Sequence, residues 1–399
     1  MKRFPLSLFY KLKEREKANA LRKLQDYCYS IQVDFSSNDY LGFAKNRDIF
    51  EETHQSLCAK GMRQNGATGS RLISGNHDLY VKTELYLSKF HQSEEALIFN
   101  SGYDANVGFF SAVPQRNDII LYDELCHASI RDGIQMSHAK AYKFQHNDIE
   151  DLEKLIIKFN ISSAQFASGS GQHSTFNIYI VTESVFSMDG DCPNLEELVA
   201  LTEKYAAYLV IDEAHALGVF GSPETSGGEG VIQSLGLQDK VFARIMTFGK
   251  GLGCHGAAIL GSAELKSYLV NFARSFIYTT GLSPHSVATI LQAYKHLGKD
   301  KEVLQQLKSN ILFFNQEKLR LGLKPMFVYS KSAIQCAIIP GNDKVKSIAT
   351  QLQQNGFDVK PILSPTVPEG QERLRFCLHS YNSEKEITQV LELLSTFVF

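Results

Sequence analysis

Short apolar and β-branched runs punctuate the chain at intervals, and helical spacing fills the stretches between them. The runs are Ala96–Asn100, Asp118–Tyr122, Ile178–Glu183, Ala207–Asp212, Ala243–Phe248 and Ala257–Gly261. Runs this short and this continuously apolar predict strands buried on both faces, as in a mostly parallel sheet. Between them, LEELVALTEKY (195–205) places apolar residues at helix spacing. Repeated β-α-β order predicts the α/β class, a mostly parallel central sheet with helices on both faces.

The pattern changes beyond about Pro284. A long helical region, HSVATILQAYKHL and then KEVLQQLKSNILFFNQEKLRLG, leads to strands near Ile334–Ile339 and Leu374–Leu378. A helix over Glu384–Phe397 closes the chain. These elements predict a smaller α+β domain over 286–399, after a large α/β domain over 46–285 and an N-terminal helix and arm over 1–45. Leu8, Tyr10, Leu12, Leu21, Leu24 and Tyr27 mark an amphipathic helix over 8–28, packed on the body or on a partner subunit. The polar segment ISSAQFASGSGQHSTF (161–176) predicts a mobile surface loop. No internal repeat is present.

Length and composition narrow the class. A chain of 399 residues with 44% hydrophobic and 21% charged residues suits a soluble globular protein with a large core. Lys plus Arg number 41 against 43 for Asp plus Glu, so net charge gives no reason to expect nucleic acid or a membrane surface as partner. Seven cysteines stand apart at 28, 58, 126, 192, 254, 336 and 377 without a C-x-x-C pair. That spacing argues against a disulfide framework or a structural metal site and for a reducing cytoplasm. Cys126 and Cys254 read as packing residues. The N-terminal apolar stretch is broken by Pro5 and followed at once by charge, unlike a signal peptide or membrane anchor.

Three segments carry chemistry. Asp212 ends the apolar run AYLVID and opens Asp-Glu-Ala-His215. A carboxylate at the C-terminal edge of a parallel strand sits where α/β folds bind ligands, although it could equally cap the next helix. Lys250 stands among glycines in TFGKGLG, directly after the strand-like ARIMTF. It is either an exposed loop lysine or an amine desolvated enough to act as a nucleophile. Asn100-Ser-Gly102-Tyr103 follows the strand ALIFN and offers backbone N–H groups at a helix start, a place for a phosphate or an ordinary turn. Taken together, a strand-end Asp, a strand-end Lys and a phosphate-cradling helix start match what pyridoxal phosphate requires.

The chain resembles the α-oxoamine synthase family of fold-type I pyridoxal-phosphate enzymes along nearly its whole length. The resemblance rests on FSSNDYLG (35–42), ATGSRLISGN (67–76), VTESVFSMDGD (181–191), IDEAHALGVFG (211–221), TFGKGLG (247–253) and PTVPEGQERLR (365–375). Within the family, HGAAILGS after the lysine, ARSFIYTT (273–280) and KSAIQ (331–335) are similar to the branch that condenses L-alanine with a pimeloyl thioester. A sister activity such as glycine C-acetyltransferase, or a non-catalytic partner subunit, is the alternative. Such a subunit would be expected to lack the anchor lysine, and Lys250 is present.

The resemblance implies roles by position. Lys250 would anchor the cofactor as an imine and later serve as acid and base. Asp212 would pair with the ring nitrogen, His215 with the ring hydroxyl, and His127 in DELCHAS would lie over the ring face. Gly102, Tyr103 and Thr247 would hold the phosphate, and Thr279 and Thr280 would reach the phosphate of the other subunit of a homodimer. Glu183 and Ser187 would lie near the cofactor. Asn38 would help bind the amino acid, Arg375 would hold its carboxylate, and Arg22 would meet the far carboxylate of the pimeloyl chain. Each has a plainer reading: a cap for His127, an edge salt bridge for Arg375, a solvated helix face for Arg22. The acyl donor would be a coenzyme A or acyl carrier protein thioester, with no metal. His146-Asn-Asp148 reads as mainly structural. His379-Ser-Tyr-Asn departs from the family pattern at the C-terminal wall.

Overall fold

In this computed structural model the structure describes residues 4–22, 24, 32–170, 176–221 and 227–399, with 160–170 described as backbone. The chain divides into two compact units. The larger comprises Asn38–Ser187 and Cys192–Gln305; the smaller comprises Met1–Ser37, Met188–Asp191 and Gln306–Phe399.

The larger unit is built on a seven-stranded sheet. Its strands are β1 (Glu95–Phe99), β2 (Ile119–Asp123), β3 (Lys140–Phe144), β4 (Ile178–Glu183), β5 (Tyr208–Asp212), β6 (Ala243–Thr247) and β7 (Ala257–Gly261). They lie in the order β1-β7-β6-β5-β4-β2-β3. β7 runs antiparallel to both neighbours, and the other pairs are parallel. Both faces are buried, as the continuous apolar runs predict. Val181, Val210 and Ile245 join one core with Phe109, Phe110 and Ile130. Ile180, Leu209 and Ile211 join another with Leu152, Leu198 and Ile232. Alternate strand residues feed opposite layers because side chains on a strand repeat every second position.

A buried ion pair ties the end of β5 to the start of β6. Arg244, 2% exposed, donates from Nε to Glu213 Oε1 at 2.8 Å and from its outer nitrogens to the carbonyls of His91 and Glu229. Glu213 Oε2 accepts a further bond from Ile232 N at 3.1 Å. A buried pair with its remaining polar atoms bonded in this way fixes geometry more than it adds stability.

The smaller unit has a three-stranded antiparallel sheet of β8 (Ile334–Ile338), β9 (Lys360–Ile362) and β10 (Arg373–Cys377), in the order β9-β10-β8. The closing helix Glu384–Val398 starts with a capping box, Ser383 with Glu386. The departure at His379 closes a local turn. Its Nδ1 meets Asn382 Oδ1 at 3.1 Å, and Asn310 Nδ2 donates to the carbonyls of His379 and Asn382.

Two expectations change. The helix predicted over 8–28 covers Leu6–Lys17, ends at Ala18 and is followed by Asn19 with φ of 47°. Leu21 and Arg22 lie beyond it, and Tyr27 falls outside the described residues. The apolar spacing continues through a left-handed residue that no helix can absorb. The segment 161–176 is not a loop throughout, because the helix Ile149–Ser170 runs through its first ten residues. Its Ala and Gln residues have high helix propensity and extend a helix already nucleated upstream. Residues 171–175 are outside the described residues. His146 Nδ1 lies 2.9 Å from Asp123 Oδ1. No helix among the described residues is long and apolar enough to cross a membrane.

Candidate active site

The site gathers at the C-terminal ends of β4, β5 and β6, where open α/β sheets bind ligands. Glu183 and Asp212 are register partners at the ends of adjacent parallel strands, and Asp212 pairs in turn with Ile245 on β6. Thr247 ends β6, and Lys250 follows in the glycine-rich turn. His215, on the turn after Asp212, brings Nε2 to 2.8 Å from Lys250 Nζ. Asp212 and Lys250 therefore serve one cluster.

Asp212 is 5% exposed and anchored on both oxygens. Oδ1 accepts from Ala214 N at 2.8 Å, and Oδ2 accepts from Asn106 Nδ2 at 2.8 Å. The same Asn106 amide donates to Ser129 Oγ at 3.0 Å, and that hydroxyl lies 2.8 Å from His127 Nδ1. Ser129 N also donates to His127 Nδ1 at 3.2 Å, and a backbone N–H can only donate. His127 Nδ1 is thus an acceptor, which places the proton of the neutral ring on Nε2. Protein crowding around His127, reinforced by the Lys250 charge, lowers its proton affinity below the ordinary imidazole value.

Glu183 lies beneath this group, 3% exposed, with Oε1 accepting from His127 N at 2.6 Å. Burial, together with the nearby Asp212 charge, raises its carboxyl to about 8, with Lys250 acting in the opposite sense. It therefore holds its proton at neutral pH while still receiving the His127 N–H. Burial also lifts the Cys126 thiol far above its usual value and Cys254 to about 12, in keeping with packing roles.

The helix Gly102–Ala112 starts at N-cap Ser101, whose side chain accepts from Asp104 N at 3.0 Å. A Cβ at Gly102 would collide with the Thr247 hydroxyl, so only glycine lets that hydroxyl approach the helix start. Tyr103 is half exposed and donates to Asp132 Oδ2 at 2.7 Å. Asn100 Nδ2 donates to Thr279 Oγ1 at 3.0 Å and to the Thr280 carbonyl at 2.7 Å, tying both threonines to this turn within one chain. Ser187 is half-buried past the end of β4. Among the described residues no cluster of His, Cys, Asp and Glu could hold a metal.

Sequence reasoning missed two residues here. Tyr40, fully buried, sets its hydroxyl 2.7 Å from His215 Nδ1 and donates to Asn38 Oδ1 at 3.2 Å, which ties Asn38 to the Lys250 cluster. Asn106 joins Asp212 to His127. Tyr40 stands inside FSSNDYLG and Asn106 just beyond Asn100-Ser-Gly102-Tyr103, but nothing in their spacing announces a side-chain role.

Arg22 and Arg375 belong to the smaller unit. Arg22 is exposed and donates to Thr366 Oγ1 at 3.1 Å. Arg375 is 9% exposed on β10, with NH1 3.0 Å from Cys377 Sγ.

The donor set fits pyridoxal phosphate. A buried, doubly anchored carboxylate suits a cationic ring nitrogen, a strand-end amine suits an aldehyde, and a helix N-terminus that excludes a Cβ beside a threonine hydroxyl suits a phosphate. Asn106 Oδ1 is buried without a hydrogen-bond partner among the described residues, a polar atom left over beside Asp212.

Fold and site together define a pyridoxal-phosphate enzyme of fold type I. The chain matches the family described as aminotransferase class I and II over residues 30–394. It is 37% identical to 8-amino-7-oxononanoate synthase of Emericella nidulans, over 98% of this chain and 95% of that one. It is 38% identical to a putative 8-amino-7-oxononanoate synthase of Halalkalibacterium halodurans, over 90% and 85%. A solved serine palmitoyltransferase of Sphingomonas wittichii superposes with a TM-score of 0.84 at 26% identity, covering 99% of this chain and 98% of that chain. An 8-amino-7-oxononanoate synthase structure from Francisella tularensis gives 0.74 at 28% identity, covering 92% and 98%. The chain belongs to the class I and II aminotransferases and, within them, to the α-oxoamine synthases, enzymes that use pyridoxal 5′-phosphate.

Proposed function

We propose that the protein condenses L-alanine with a pimeloyl thioester, releasing carbon dioxide and free thiol and giving 8-amino-7-oxononanoate, a step of biotin biosynthesis. Within that reading, the observation that carries the chemistry is Lys250 Nζ held 2.8 Å from His215 Nε2, with Asp212 at the end of the strand leading to that histidine. The substrates are supported by relatives of that name at 37% and 38% identity. Serine palmitoyltransferase structures at 25% and 26% identity favour a second reading, another α-oxoamine synthase with a different amino acid and acyl group.

When bound, pyridoxal phosphate supplies an aldehyde carbon for amines and a cationic ring that draws electrons from the amino acid's Cα. Lys250 is the residue that anchors it. The free Lys250 amine would take the Cα proton and later return one. His215, backed by Tyr40, orients that amine. Asp212, fixed by Asn106 and Ala214 N, keeps a negative charge where the ring nitrogen would lie. Gly102, Tyr103 and Thr247 would hold the phosphate, Thr279 and Thr280 would reach the phosphate bound by the other subunit of the homodimer, His127 would cover the ring, and Glu183 and Ser187 would line the site. Asn38 and Arg375 bind the amino acid, Arg375 by a charge-assisted carboxylate contact. Arg22 receives the distal carboxylate. The working form is a cytoplasmic homodimer, and the acyl donor is carried on coenzyme A or an acyl carrier protein.

The test is an assay of purified protein with alanine, glycine or serine against pimeloyl, acetyl or palmitoyl thioesters, with products identified by mass. Alanine with the pimeloyl thioester is expected to give the dominant product. Preference for another pair would replace this reading with the second one.

A further inference from the structure

The smaller unit contains a buried amine, used by nothing above. Lys318 lies on the helix Lys301–Arg320 and is 4% exposed. Its Nζ donates to Gln335 Oε1 at 2.6 Å, the one hydrogen-bond acceptor it has among the described residues. The ammonium otherwise faces two aromatic rings, 4.7 Å from the centroid of Phe327 and 5.5 Å from that of Phe314. No carboxylate pairs with it among the described residues. Buried cations are ordinarily paired with a charge, so this one is left short of a counter-ion.

Gln335 is a deliberate support. It is fully buried, and its Nε2 donates to the Ser332 carbonyl at 2.9 Å and to that of Ser330 at 3.3 Å. Those bonds spend the amide's donors and turn Oε1 towards Lys318. Ser332 and Gln335 are the uncharged polar members of KSAIQ, a motif that the cofactor site leaves unused.

Lys318 lines a cavity of about 490 Å³. That size falls within the range of small-molecule pockets. Ile311, Leu319, Val328 and Tyr329 form apolar wall with Phe327, and Lys324 and Lys331 add two exposed positive charges. The lining contains three lysines and no acidic residue. The complementary occupant is an anion with an apolar body. We infer that this cavity binds a medium-chain monocarboxylate, its head group on Lys318 and its tail along the Phe327 and Val328 wall. One buried ammonium answers one carboxylate charge, whereas the apolar wall would strand inorganic phosphate. Desolvation lowers the Lys318 amine to about 8 in the protein alone. An adjacent carboxylate would raise it again.

The probe is octanoate, titrated calorimetrically into the full-length protein, with octanol and inorganic phosphate as controls. Octanoate is expected to bind with a dissociation constant on the order of 1 mM or tighter, a modest value for a ligand of this size. Lys318→Met keeps the side chain's length while removing its charge, and should weaken octanoate at least tenfold and leave octanol unchanged. The double variant Lys324→Gln with Lys331→Gln should weaken it only two- to threefold. As a check that needs no variant, the NMR-detected titration of the Lys318 ε-methylene should move to higher pH when octanoate is added. No octanoate binding, equal loss of octanol, tighter binding of phosphate, or an unmoved titration would each overturn the inference.

Discussion

Asp212 and Glu213 are neighbours in sequence, both buried carboxylates at the end of one strand, yet they serve opposite purposes. Glu213 is matched by Arg244 at 2.8 Å and by Ile232 N, so its charge is compensated within the protein. Asp212 accepts two neutral donors, Asn106 Nδ2 and Ala214 N, and forms an ion pair with no protein cation among the described residues. A strand sends successive side chains to opposite faces, so one alternation separates a structural charge from one kept for a ligand. A buried carboxylate whose partners orient it without neutralising it marks a site for an external cation. Under the proposed function that cation would be the cofactor ring.

Lys250→Ala should break the functional side outright, abolishing both turnover and the visible absorbance of bound cofactor, as steady-state assay and absorption spectroscopy would report. Asp212→Asn removes the charge and retains the shape. It should lower kcat by roughly 10²–10⁴-fold, in line with losses at other electrostatic partners, with an unchanged circular dichroism spectrum. On the structural side, Arg244→Met strands Glu213 as a buried unpaired charge. It should cost about 3–5 kcal/mol in denaturant unfolding, and any residual folded protein should keep its cofactor spectrum. If Asp212→Asn destabilised the fold as much as Arg244→Met does, the contrast between the two carboxylates would fail.

Glu183 sharpens the comparison through pH. Its carboxyl is raised to about 8 from the ordinary 4.5. Between these values the unfolded chain has lost a proton that the folded protein keeps, so stability falls as pH rises through that window. Below 4.5 the contribution is fully present, and above about 8 its loss is complete. Glu183→Gln, which cannot ionise, should flatten that decline in urea denaturation series run from pH 5 to pH 8. An unchanged slope would show that Glu183 is ionised throughout.

The central sheet was legible because buried strands write themselves as unbroken apolar runs, and all six runs singled out in the large unit became strands. β3 was not among them. As an edge strand it keeps Lys140, Tyr142 and Lys143 accessible, and KAYKF carries no apolar signal. The Lys250, Asp212 and His215 cluster was legible through strand-end position and family motif together. Tyr40 and Asn106 were not, because a buried hydrogen bond between residues over a hundred positions apart leaves no local trace. The overlong N-terminal helix failed for a related reason: apolar periodicity reports a face but not the backbone dihedral that stops it at Asn19.

Borohydride reduction of the purified protein, followed by digestion and peptide mass spectrometry, tests the anchor most directly. The pyridoxyl group is expected on the peptide containing Lys250 and nowhere else. A label on a different lysine, or none on a protein that still shows the cofactor's absorbance, would contradict the account.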